Sequence, residues 1–301
     1  MPDSIDPQPD HWPAPALPRG RIFPAQLKLA AELLERIETE ELPADRSIQR
    51  ELSGQRRMGR RDRERVRELV LFVLRQRRVI DHLLGAERPP MAARVGTAIA
   101  LADELDPVLA ATAGLDEASV ARLRDGMTEP FPALPAAIRF NLAPEAAARW
   151  ERLAPVNPDS LARSLEERAP VDLHVNPRRQ DRTDLRAELA EADIRARPIT
   201  GLPHGLRLDH PARLTRLAAF REGGFEVQDA GSQWVVQAVE ACPGERVLDL
   251  CAGAGGKTLG LLDETGGAIE VTACDLHPER LERLRERARR HGDTDRVDRR
   301  A

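Results

Sequence analysis

Val247-Leu248-Asp249-Leu250-Cys251-Ala252-Gly253-Ala254-Gly255-Gly256-Lys257-Thr258, followed seventeen residues on by Asp275, is the stretch that decides the fold. It reads as a strand, a glycine-rich turn, a helix start, and then a second strand over 269–274 that ends in an acid. That order belongs to the doubly wound α/β cofactor sites.

Three cofactor sites share this geometry, and the residues separate them. A kinase-type phosphate loop needs a glycine where Cys251 stands, although Gly256-Lys257-Thr258 fits its end. A dinucleotide fingerprint starting at Gly253 and Gly255 puts its third glycine on Thr258, where helix must pack closely on strand. The S-adenosylmethionine pocket asks for an acid closing strand one, glycines four and six residues later, and an acid closing strand two. Asp249, Gly253, Gly255 and Asp275 meet all of these. Glycines let the backbone approach the methionine part, one acid neutralises its ammonium, the other accepts the ribose hydroxyls, and Lys257 balances a carboxylate. A turn whose glycines serve packing alone is the competing reading.

Outward from this site, 229–301 reads as the first part of an α/β Rossmann-like domain. It has a helix over 232–241, strands over 246–250 and 269–274, and helices over 257–263 and 278–290. Two strands fall short of the five or so that a doubly wound sheet uses, so the sequence is expected to be part of a longer enzyme. Upstream, 159–228 alternates short strands and helices and predicts a small α+β, ferredoxin-like domain. Residues 23–150 show helical periodicity and predict an all-α domain of five to seven short helices, including one long helix over 61–84. Residues 1–22, rich in proline and acid, read as a disordered leader.

The net charge of −4 conceals an unusual basic usage, with lysine only at Lys28 and Lys257 among 46 basic residues. Such arginine bias fits a GC-rich bacterial genome, and it makes Lys257 conspicuous. Seven arginines crowd into 55–67. Arg56, Arg57, Arg60, Arg61 and Arg63 are candidate phosphate contacts; alternatively the segment is a solvated helix start whose Asp62 and Glu64 pair with the arginines. No apolar run approaches the roughly 20 residues of a membrane span. Cys242, Cys251 and Cys274 are odd in number and lack metal-ligand spacing, which predicts a reducing cytoplasm, and a monomer is favoured.

These residues resemble the RsmB/Sun (Fmu-type) RNA cytosine-carbon-5 methyltransferases. The likeness rests on Phe225-Glu226-Val227-Gln228-Asp229-Ala230-Gly231-Ser232-Gln233 and on the glycine stretch, which the family usually writes D-x-C-A-A-P-G-G-K-T. Val171-Asp172-Leu173-His174-Val175-Asn176-Pro177 resembles the start of the family's small RNA-binding domain, and Met58-Gly59-Arg60-Arg61-Asp62-Arg63 a stretch of its NusB-like domain. The resemblance implies that Cys251, Ala252, Gly253, Ala254, Gly255, Gly256 and Lys257 hold the methionine part, Asp275 the ribose and Asp298 the adenine side. It implies a ribosomal RNA partner. Ala254 replaces the usual proline and Gly253 an alanine, giving a less rigid loop.

Methylation at carbon 5 of cytosine needs a cysteine thiolate to add at carbon 6. The family's cysteines stand in Pro-Cys and Thr-Cys motifs, which this sequence lacks, so the nucleophile is expected beyond Ala301. An inactive fragment with weak or absent cofactor binding is the resulting expectation. A non-catalytic RNA-binding module and a methyltransferase for another substrate are the alternatives.

Overall fold

The computed structural model describes residues 12–40, 43–55, 57–153, 157–166 and 168–301, which fall into two compact units, 1–168 and 169–301.

The first unit is helical: α1 (Pro24–Thr39), α2 (Ala44–Gly54), α3 (Arg60–Arg75), α4 (Arg77–Leu84), α5 (Met91–Leu101), α6 (Pro107–Thr112), α7 (Glu117–Gly126), α8 (Ala136–Arg139), α9 (Pro144–Leu153) and α10 (Pro158–Glu166). Its core is the apolar stripe of α1 (Leu27, Ala30, Leu34) against Val66, Leu69 and Val73 of α3 and Val95 and Ile99 of α5. The helices outnumber the five to seven expected, because proline and glycine punctuation divides the periodic stretches more finely.

The expected long helix over 61–84 is interrupted at Gln76 (φ −115°, ψ 25°). The break is held from a distance. Asn141 donates to the carbonyl of Arg75 and accepts from the amide of Arg78 at 2.9 Å, satisfying groups that a continuous helix would pair internally. The leader also differs from expectation over its described part. Trp12 packs edge-on to Phe131, Ile22 is buried, and the guanidinium of Arg65 donates to the carbonyls of Pro18 and Arg19. α10, read from sequence with the α+β domain, makes its contacts here with the end of the helical unit. Ala162 packs with Phe140 and Ala147, and the Trp150 indole donates to the Pro158 carbonyl at 3.1 Å.

The second unit opens with β1 (Asp172–Val175), α11 (Arg182–Glu191), β2 (Ala196–Pro198), β3 (Gly205–Leu208), α12 (Ala218–Arg221) and β4 (Phe225–Val227). These strands form an antiparallel sheet in the order β2-β3-β1-β4. Leu173 and Val175 of β1 pack with Leu206, Phe225 and the α11 residues Leu185 and Leu189. The alternate residues Asp172 and His174 are buried too. Asp172 accepts a bidentate pair from Arg207 (2.7 and 2.8 Å) and the amide of Ala230 (3.0 Å).

α13 (Ala230–Ala238) then leads into β5 (Arg246–Asp249), α14 (Gly256–Glu264), β6 (Glu270–Cys274), α15 (Pro278–His291) and β7 (Val297–Arg300). β5, β6 and β7 make a parallel sheet in that order, with Asp249 level with Ala273 and Cys274 level with Arg300. β7 is a third strand where two were expected. Its Asp298, Arg299 and Arg300 lack apolar alternation; backbone pairing to β6 and the single buried Val297 hold it in place.

Candidate cofactor site

Between β5 and α14 the chain makes the tight turn that the glycines predict. Gly253 and Gly255 both have left-handed backbones (φ +54° and +81°). Their reasons differ. A Cβ on Gly253 would meet open space, whereas one on Gly255 would lie 2.0 Å from Cδ1 of buried Leu284 in α15. Gly255 is therefore required both by conformation and by close packing. Arg287 of α15 donates to the Ala254 carbonyl at 2.8 Å and fixes the tip of the loop.

Asp275 follows β6 at the same end of the sheet. Its carboxylate accepts from the amides of His277 (2.9 Å) and Gly253 (2.8 Å), tying the end of strand two to the turn after strand one. The His277 amide, then that of Gly253, outweigh desolvation and hold this carboxyl below the usual range. Leu276, beside it, is 94% exposed, an apolar surface next to an anchored acid.

Thr258, poor for a dinucleotide site, has its own role here. It is fully buried, and its hydroxyl donates to Asp249 Oδ2 at 2.7 Å, joining helix to strand where a third glycine would only permit contact. Asp249, Cys251, Ala252, Gly256 and Lys257 border a cavity of about 330 Å³, together with Asp172, Gln228, Asp229 and Ser232. Asp229 caps α13 through the Ser232 amide at 2.8 Å; burial raises its pKa, but the Ser232 amide and hydroxyl, with Lys257 nearby, bring it below the ordinary value.

The donor set suits an amino-acid group. Asp229 and Asp249 offer charge to an ammonium, while Lys257 and the start of α14 offer it to a carboxylate. Cys251, Ala252, Gly256 and Lys257 thus meet at one cavity, with Gly253, Ala254 and Gly255 forming the adjoining turn and Asp275 bonded to it. Asp298 is not brought there. It pairs with Thr272 in mid-sheet, is exposed, and bonds Arg300 at 2.8 Å. Asp229 and Leu276 were not singled out from sequence; the signals were the helix-cap pattern Asp229-Ala230-Gly231-Ser232 and a leucine beside the strand-closing acid.

A buried polar network fastens the cofactor domain to the small sheet. Asp263 of α14, with no exposed side-chain surface, accepts from His174, His291 and Arg178 at 3.1–3.2 Å. His291 also bonds Asp293 at 2.6 Å, and Arg178 bridges both acids. Burial opposes the charged forms, but the hydrogen bonds prevail, so Asp263 and Asp293 are lowered and His291 is raised.

In the helical unit, Arg57, Arg60 and Arg61 are exposed and Arg63 is half-buried; Arg56 lies outside the described residues. Of the local acids, Asp62 pairs with Arg65 of the same segment (3.0 Å) and Glu64 with Arg168 (3.3 Å). No carboxylate among the described residues lies within ion-pair distance of those four arginines.

A parallel β-α-β-α-β unit, with a left-handed glycine turn tied to the acid that closes strand two, defines an α/β nucleotide-cofactor domain. Comparison with known proteins narrows the class. Residues 236–298 match the family described as 16S rRNA methyltransferase RsmB/F, and residues 147–215 match the ferredoxin-like domain of the same RsmF/B-like methyltransferases. Over these two segments the chain is similar to the RsmB/F methyltransferases. It is 36% identical over 127 residues to the probable ribosomal RNA small subunit methyltransferase B of Synechocystis, covering 42% of this chain and 28% of that protein. It is 34% identical over 144 residues to ribosomal RNA small subunit methyltransferase B of Escherichia coli O6:K15:H31, covering 48% and 33%. The matches thus span about a third of these relatives' length. Among solved structures, PH0851 shares the fold over 94% of this chain and 70% of its own (TM-score 0.68, 18% identity). A methyltransferase homolog from Pyrococcus horikoshii aligns with 55% of this chain and 54% of its own (TM-score 0.50, 25% identity). No helix among the described residues is long and apolar enough to cross a membrane.

Proposed function

We propose that this chain supplies the S-adenosylmethionine site and RNA-holding domains of an rRNA methyltransferase acting on carbon 5 of cytosine in the small-subunit RNA. The observation that carries the reading is the bond from Gly253 N to Asp275 Oδ2, which joins the glycine turn to the acid suited to a ribose. Asp229, Asp249 and Lys257 would hold the amino-acid part of the cofactor, Asp275 the ribose, and Leu276 one face of the base. When bound, the cofactor supplies an electrophilic methyl group.

The cysteines are not assigned the nucleophile's role. Cys242 is exposed at the turn before β5, opposite the strand ends where the loop lies, and Cys274 is the last residue of β6. Cys251 borders the cavity as part of the cofactor loop itself. The helical unit, read as a NusB-like RNA-binding domain, offers Arg57, Arg60, Arg61 and Arg63 to phosphates. The unpaired cysteines suit a reducing cytoplasm.

Nucleoside mass spectrometry of small-subunit rRNA from cells with and without the gene tests the product. Loss of one 5-methylcytidine on deletion is expected. An unchanged 5-methylcytidine content, with another methylated nucleoside lost, would replace the assigned substrate atom.

A further inference from the structure

A second basic surface lies in the same unit as the cofactor domain, on the side of α15 away from the glycine turn. Leu281, Leu284 and Ala288 form the buried side of α15, and Leu284 is the residue that closes on Gly255. The opposite side faces a groove of about 1080 Å³, lined by Arg285, Arg289 and Arg290 of α15 and by Arg179, Phe220 and Arg221 from the small sheet's loops and α12. Glu222 and Glu286 are the acids that also line it, leaving an excess of positive charge.

The groove is built. Arg290 lies over the Phe220 ring at 4.0 Å and pairs with Glu226, and Arg179 is anchored by donating to the carbonyls of His291 (2.9 Å) and Glu222 (3.0 Å). These two form the floor. The other three keep charge to spare. Arg221 donates only to the carbonyls of Arg216 and Leu217, and Arg289 has no ion-pair partner among the described residues. Arg285 pairs with Glu282 at 2.6 Å, but both side chains are more than half exposed, so the pair is weak. Arg285 and Arg289, one turn apart, also repel each other along the helix. Favourable interaction with the helix C-terminus accounts for Arg289 and Arg290; it does not account for Arg221 or Arg285.

We infer that this groove binds the phosphate backbone of RNA at a distance from the methylated nucleotide. The inference rests on the RNA substrate proposed above and adds a second, remote contact surface on the cofactor unit itself. Four helical residues rise about 6 Å, so Arg285 and Arg289 can engage neighbouring phosphates of one strand, with Arg221 across the groove. The phosphate spacing of a single strand matches arginines one helical turn apart, and guanidinium forks bind phosphate bidentately, which favours RNA over an acidic peptide.

The test is filter binding of in vitro transcribed small-subunit rRNA to the full chain across a salt series. The triple variant Arg221→Ala, Arg285→Ala, Arg289→Ala is compared with wild type and with Arg124→Ala, an exposed arginine of α7 outside the groove. The triple variant is expected to bind about tenfold or more weakly near 0.1 M salt, with a salt slope shallower by roughly 2, while Arg124→Ala matches wild type. Circular dichroism verifies that the variant folds. Wild-type binding with an unchanged triple variant overturns the groove alone. Absence of wild-type binding at low salt overturns the RNA substrate reading together with it. Equal displacement of rRNA by charge-matched polyglutamate would identify an acidic protein partner and overturn the RNA assignment.

Discussion

Gly255→Ala is the sharpest local probe of the cofactor turn. The new methyl group meets two separate costs. At φ +81° an L-residue occupies the left-handed region, costing roughly 1–2 kcal/mol. Its Cβ would also lie 2.0 Å from Cδ1, 3.0 Å from Cγ and 3.3 Å from Cβ of Leu284. Leu284 is fully buried and cannot swing aside, so overpacking adds about 1–3 kcal/mol. The expected loss is about 2–5 kcal/mol in total. Gly253→Ala is the internal control. It carries a left-handed backbone but open space around the new Cβ, and should lose only the first component. Urea denaturation followed by circular dichroism measures both, and a Leu284→Ala background completes the cycle. There the Gly255→Ala cost should fall to that of Gly253→Ala, because the obstructing side chain is gone. Equal costs for the two glycines in the wild-type background would refute the packing argument.

Two further predictions concern buried charge. Glu166, half-buried beside Gln76 at 2.8 Å, is pushed up to about 7 by burial against the opposing pull of Gln76, Arg163 and Arg75. A raised carboxyl favours the folded state most below its unfolded value near 4.5, and that stability is lost as pH rises through about 7. Glu166→Gln should flatten this dependence and exceed wild type at pH 8 by about 1–2 kcal/mol, after allowance for partial solvent screening; thermal melts at pH 5 and 8 measure it. Asp263→Asn leaves Arg178, His174 and His291 facing one another with half their compensation, and should cost about 3–5 kcal/mol. For His291, raised in the fold, the stabilising contribution is complete below its unfolded value near 6.5 and fades as pH rises through the folded one. For Asp263 and Asp293, both lowered, it is present above about 3.8 and fades on acidification. The Asp263→Asn loss in urea titrations should therefore be larger at pH 6 than at pH 9.

The glycine turn and Asp275 were legible because their chemistry is local: residues close in sequence make the turn, and the strand period sets where the acid falls. Long-range effects were not. The break at Gln76 depends on Asn141, more than sixty residues away, while the apolar spacing from Val66 to Ile80 reads as continuous. β7 was hidden because an edge strand with backbone pairing on one side tolerates Asp298 and Arg300. That strand sets Asp298 level with Thr272, where its carboxylate bonds Arg300. Of the acids in the arginine cluster, Asp62 pairs within it, with Arg65, as the solvated-helix reading expects, while Glu64 turns to Arg168, more than a hundred residues on. The basic groove is assembled from residues 179, 221 and 285–290, and no single segment shows it.

Titration calorimetry of the full chain with S-adenosylmethionine, for wild type and Asp275→Ala, is the most direct measurement. Leu248 and Leu250, which flank Asp249, are more than half exposed, so apolar surface beside the pocket is only partly covered. Binding should accordingly be saturable but weak, with a Kd between about 10 µM and 1 mM, and undetectable in Asp275→Ala. A wild-type chain silent up to about 1 mM, or an Asp275→Ala variant that binds as wild type does, would contradict the assignment of this turn to the cofactor.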